Sequence, residues 1–148
     1  MNLTEQINND IKSAMKERNK VKLESLRAIK SALLLAATEK GGGESSEDAE
    51  LKMLQKLVKQ RKEAASIFTN EGREELATAE LEQVEIIEAY LPEQMSEADI
   101  QAVVNEIITA TGANSMADMG KVMGQANQKM AGKADGKMIA QMVKTALG

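Results

Sequence analysis

Two runs in the last third of the chain have the residue types to hold an anion. Gly132-Lys133-Ala134-Asp135-Gly136-Lys137 sets backbone amides and two lysines where a helix would begin. Free N–H groups and the positive dipole end of a helix start favour phosphate there. Asp135 works against this, because as a cap it competes for the same amides. The nucleotide phosphate loop is not met: Gly132-Lys133 is followed by Ala134, and the glycine required five positions before Gly132 is Asn127. ATP is thereby disfavoured, and the backbone phosphates of a nucleic acid remain. Met119-Gly120-Lys121-Val122-Met123-Gly124 places two glycines in one helical turn. Each costs about 1 kcal/mol against alanine, so each calls for a reason. A close helix crossing is the structural one; a bare backbone open to a partner is the functional one.

Charge points to the same place. The formal net charge is −4, but residues 116–148 carry Lys121, Lys129, Lys133, Lys137 and Lys144 against Asp118 and Asp135. Residues 92–115 hold Glu93, Glu97, Asp99 and Glu106 with no base. The whole chain is no general nucleic-acid binder, whereas its tail is locally positive. The candidate contacts for RNA are therefore Lys121, Lys129, Lys133 and Lys137, with Gly120, Gly124, Gly132 and Gly136 as the close-approach positions.

A second charged group lies among apolar positions. At about 100° per residue, Arg61 falls in the middle of the face made by Leu54, Leu57, Val58, Ala65 and Phe68. Glu80 and Glu88 share an arc with Ala77, Leu81, Val84, Ile87 and Leu91. A charge removed from water without a partner is costly, so Arg61 is expected to form a partly buried structural ion pair with Glu80 or Glu88. Lys52, Lys56 and Lys59 share another face and read as solvated surface.

Catalysis has few candidates. The chain contains no histidine and no cysteine, which removes the usual general base, the commonest metal ligand and any thiolate chemistry. No metal site and no cofactor are expected, and the chain is not expected to be catalytic alone. With 43% hydrophobic and 28% charged residues, the composition is that of a globular protein. No apolar run approaches a bilayer span and the N-terminus has no export signal, so no membrane partner and a cytoplasmic location are expected.

The elements that must position these residues are helices. Abundant Ala, Glu, Lys, Leu and Met with a single proline favour helix over sheet. Asn2 and Glu5 start the first helix, with Leu3, Ile7, Ile11 and Met15 on one stripe. Glu17-Arg18-Asn19-Lys20 reads as a turn or a frayed end, and Leu23, Leu26, Ile29, Leu33 and Ala37 mark the second helix. Gly41-Gly42-Gly43-Glu44-Ser45-Ser46 is a loop ending in a capping serine. A third helix spans 47–70 with Gly72 as its stop, and a fourth spans 74–91. Pro92 ends that helix, and Ser96 with Asp99 starts the next. This corner divides an N-terminal long-helix domain, 1–91, from a small C-terminal three-helix bundle, 92–148. In the bundle Ile100, Val103, Val104, Ile107 and Ile108 face inward. Ser115 to Asp118 repeats the cap pattern before a stripe of Met116, Met119, Met123, Ala126 and Met130. Ile139, Met142, Val143, Ala146 and Leu147 line the last helix. The fold class is all-α.

Taken in order, Lys59-Gln60-Arg61-Lys62-Glu63, Glu80, Tyr90-Leu91-Pro92, Met119-Gly120-Lys121-Val122-Met123 and Gly132-Lys133-Ala134-Asp135-Gly136 resemble the GatB/YqeY family. The match covers nearly the whole chain and is nearest to the stand-alone YqeY proteins. The resemblance implies two helical domains shared with the tail of the B subunit of the glutamine-dependent aspartyl/glutamyl-tRNA amidotransferase, where that tail helps hold tRNA. The kinase activity of that subunit lies in a separate domain ahead of the tail, which these residues are not expected to supply. Gly41-Gly42-Gly43-Glu44-Ser45-Ser46 echoes the Gly/Ser-rich amidase segment only superficially.

Three readings follow. The first is a tRNA-binding or tRNA-associated accessory module. The second is a component of a carbon–nitrogen ligase with glutamine as amide donor, acting only with amidotransferase subunits as partners. The third is a protein-interaction adaptor. Phe68 and Tyr90 are the only aromatic residues, so RNA would be recognised by shape and phosphate rather than by base stacking.

Overall fold

Short polar side chains start the helices where the sequence places them. Asn2 Oδ1 accepts from the Glu5 amide at 2.8 Å. Ser46 Oγ accepts from Ala49 at 3.2 Å, and Ser96 Oγ from Asp99 at 3.1 Å. Each takes up one of the four amides a helix start leaves without a partner. A computed structural model of the chain describes residues 2–39 and 46–148, and among these the chain is all-α. The expected glycine loop, Gly41 to Ser45, lies outside the described residues. By internal contact the chain divides into two units, Met1–Leu91 and Pro92–Gly148.

In the first unit α1 spans Leu3–Glu17, α2 Lys20–Glu39, α3 Glu47–Asn70 and α4 Glu74–Glu88. The turn after α1 is tighter than the sequence suggests. Arg18 takes a left-handed conformation with φ 58°, and Asn19 Oδ1 accepts from the Lys22 amide at 3.1 Å. Gly72, at φ 76°, supplies the left-handed residue that ends α3, and the Arg73 amide donates back to Phe68 O at 2.7 Å. The helices α3 and α4 thus fold back as a hairpin. Ile7, Leu26, Ile29, Leu54 and Ile87 are fully buried, joined by Leu33, Val58 and Val84. Leu81 is the exception on the expected face of α4: it is 48% exposed. Ala77, Val84 and Ile87 are the buried residues of α4, and at about 100° per residue their stripe passes to one side of Leu81.

The second unit contains α5 (Glu97–Thr111), a single 3-10 turn at Met116–Asp118, α6 (Met119–Lys129) and α7 (Gly136–Leu147). Ile100, Val104, Ile107, Val122, Ala126, Met130, Ile139 and Val143 form its core. Two expectations fail at the start of α6. Ser115 makes no side-chain cap bond; instead Asp118 Oδ2 accepts from the Asn114 amide at 3.1 Å. The inward stripe is also rotated, with Val122 buried, Met119 and Met123 only partly so, and Met116 43% exposed. Within α6 the core takes Val122 and Ala126 and leaves Met119 and Met123 at its edge. Met116 lies in the 3-10 turn, with about three residues per turn rather than 3.6, so helical spacing cannot be carried back to it.

Candidate nucleic-acid interface

The turn from α6 into α7 is built on Gly132. This residue is buried and adopts φ 74°, a conformation open to glycine and unfavourable for a residue with a Cβ. The Lys133 amide then donates to Met130 O at 2.9 Å, which closes the end of α6. Asp135 caps α7, accepting from the Lys137 amide at 3.3 Å, as the sequence suggests. The Ile139 amide donates to Asp135 O at 3.1 Å, the first regular bond of that helix. Lys133, Gly136 and Lys137 are left exposed around the helix start.

Along α6, Gly120, Lys121, Gly124 and Lys129 are all exposed. A Cβ added at Gly120, Gly124 or Gly136 would meet nothing within 4 Å. The close helix crossing offered as the structural reason for Gly120 and Gly124 is therefore absent, and their backbone stands open. Among the described residues no carboxylate lies within ion-pair distance of Lys121, Lys129, Lys133 or Lys137. The eight positions fall into two settings. Gly132, Lys133, Gly136 and Lys137 surround the α6–α7 turn, while Gly120, Lys121, Gly124 and Lys129 lie along the outer side of α6.

Arg61 behaves differently from the expectation. Its Nε donates to Gln83 Oε1 at 2.8 Å and its Nη1 to Leu57 O at 3.2 Å. Neither Glu80 nor Glu88 is its partner, and Glu88 instead pairs with Lys62 at 3.1 Å. The correction follows from the arc of α4. Gln83 lies one helical turn from Glu80 and fills the place opposite Arg61, whereas Lys62 and Glu88 meet at the more exposed edge. A half-buried guanidinium satisfied by neutral acceptors avoids drawing a carboxylate out of water.

Two features escaped the reading of the sequence. The Tyr90 hydroxyl donates to the Asp10 carboxylate, joining the residues before Pro92 to α1. Burial raises the Tyr90 pKa, and the hydrogen bond to Asp10 and its charge raise it further. The other is Gln94, whose side-chain amide donates to Pro92 O at 2.9 Å and to Gly132 O at 2.7 Å. The available signal was a backbone account: between a helix stop and the next cap, free carbonyls need donors. Among the described residues no group of acidic side chains could hold a metal ion, and no helix is long and apolar enough to cross a membrane.

Comparison with known proteins gives one family and a set of relatives. A family model described as "Yqey-like protein" matches residues 4–147. A protein of Pyrenophora tritici-repentis named "Altered inheritance of mitochondria protein 41, mitochondrial" is 25% identical over 142 residues, covering 94% of this chain and 77% of its own. The protein of that name from Clavispora lusitaniae is 30% identical over 125 residues, covering 82% and 72%.

Proposed function

The chain belongs to the Yqey-like family, and we propose that it is a tRNA-binding accessory module whose C-terminal unit grips backbone phosphates. The observation that carries this reading is the set of exposed lysines at 121, 129, 133 and 137, which have no carboxylate ion-pair partner among the described residues and lie beside open glycine backbone. Fixed charges without an internal use are what phosphate contacts require. Residues 92–148 contain no aromatic side chain, so the substrate class is structured RNA met by shape and charge, not a single strand stacked on rings. The chain is taken as non-catalytic alone. Titration of the whole protein with tRNA, and with an unstructured RNA of equal length, tests this. Salt-sensitive binding that favours tRNA supports the reading, and absence of binding at low salt refutes it.

In this reading residues 1–91 form a long-helix domain and residues 92–148 an independent three-helix bundle. A fragment from Glu93 to Gly148 should then unfold cooperatively on heating; a fragment without helix in circular dichroism would contradict the division.

An adaptor reading draws on a separate observation. Ile67, Leu76 and Leu81 are largely exposed on the α3–α4 hairpin, and such side chains suit a protein partner. Amidotransferase subunits are the partners to test first, through co-purification. The cytoplasmic location belongs to the proposal too, and imaging of a tagged chain would weigh it against the mitochondrial setting in the relatives' names.

A further inference from the structure

We propose that Gln94 is a positioning residue for the lysine-bearing turn between α6 and α7. The inference rests on the phosphate-binding reading of that turn. Gln94 lies in the extended stretch after Pro92, where no helix satisfies the backbone. Its Nε2 donates at 2.7 Å to Gly132 O and at 2.9 Å to Pro92 O. The next residue adds a second clasp, the Met95 amide donating at 2.9 Å to Lys133 O. Two successive carbonyls of the turn are thereby held from the same side.

The consequence is electrostatic. A carbonyl oxygen is the negative end of the peptide dipole. Two such oxygens turned outward beside Lys133 and Lys137 would repel a phosphate and compete with it for the lysine ammonium groups. Held by Gln94 and Met95, they face the 92–95 stretch instead, and the outer side keeps the lysines and the start of α7. Gly132 makes this possible, because its left-handed φ of 74° lets the chain reverse with its carbonyl turned toward Gln94. The side chain must donate and must reach. A glutamate here would set a carboxylate against Gly132 O, and a shorter amide would fall short of it.

The test uses the full chain and reads the turn and the RNA separately. Gln94→Met keeps similar length and removes the donor. Amide hydrogen exchange without RNA should quicken at Met95 and across residues 133–137, with the rest of the chain unchanged. Affinity for tRNA should fall roughly three- to tenfold, the range that one net hydrogen bond corresponds to. The salt slope should stay that of the wild type, since every lysine remains; a protein losing its fold would lose the slope as well. Gln94→Asn, with the amide drawn back by one methylene, should show the same faster exchange in milder form. Wild-type exchange in both variants overturns the proposal, as does lost affinity with unchanged exchange. Failure of wild-type protein to bind tRNA at low salt would refute the phosphate reading instead, and exchange would still decide whether Gln94 orders the turn.

Discussion

Arg61 in α3 and Lys133 beside α7 are both cations that sequence position singles out, yet the fold makes internal use of only one. Arg61 is half-buried, and Gln83 and the Leu57 carbonyl take up two of its donors. Lys133 is exposed, and among the described residues no carboxylate forms an ion pair with it. Glycine divides the same way. Gly132 is buried at positive φ because the turn needs it, while Gly120 and Gly124 border open space. A residue whose groups the fold satisfies explains architecture. A residue that costs stability, or that the fold leaves idle, is free to face a partner or solvent.

The largest expected effect lies on the internal side. Arg61→Ala should destabilise the protein by about 2 kcal/mol, a charged group's hydrogen bonds being worth about 1.5–3 kcal/mol and exposure trimming that range. Glu80→Gln should change stability by no more than about 0.5 kcal/mol. Chemical denaturation of both variants checks the contrast, and an equal loss from Glu80→Gln would restore the ion-pair account.

The glycines should give opposite signs. Gly132→Ala forces a side chain into a left-handed conformation and should cost about 1–2 kcal/mol. Gly124→Ala should stabilise by up to about 1 kcal/mol, since it improves helix propensity without a clash. If Gly124 serves a partner's close approach, the more stable variant binds tRNA more weakly. Thermal melts paired with binding measurements read both. Destabilisation by Gly124→Ala would show a packing role after all.

A smaller effect is set by pH. The Tyr90 pKa is raised in the folded protein, so its contribution to stability is complete below the ordinary tyrosine value of 10.0. It is lost as pH rises from there through the raised folded value. Tyr90→Phe should flatten the alkaline fall in stability and lower stability near neutrality by about 1 kcal/mol. An unchanged alkaline profile would mean that neither the burial of Tyr90 nor its Asp10 contact raises its pKa.

Much of the fold was legible in local chemistry. The caps at Asn2, Ser46 and Ser96, the stop at Gly72 and the apolar spacing of Leu26, Ile29 and Leu33 each act within a turn or two. The failures came where distance or phase intervened. Leu81 and Arg61 were assigned by a helical wheel, which says which face a residue shares but not which element meets it. The methionine stripe slipped because the core face of α6 is centred on Val122 and Ala126, with Met119 and Met123 at its edge, and because Met116 lies in the 3-10 turn ahead of that helix. Of the candidate interface, the exposure of the lysines and the Asp135 cap were legible. Gln94 was not, since its acceptor Gly132 lies 38 residues away and no pattern in the sequence joins them.

The central claim is that the idle cations of the C-terminal unit meet RNA phosphates. Its most direct measurement is tRNA affinity across a salt series for wild type and for the variant carrying Lys133→Glu and Lys137→Glu. The account predicts weaker binding to every tRNA, a salt slope reduced by about 2, and a melting curve nearly unchanged. Equal affinities and equal slopes for the two proteins would contradict it.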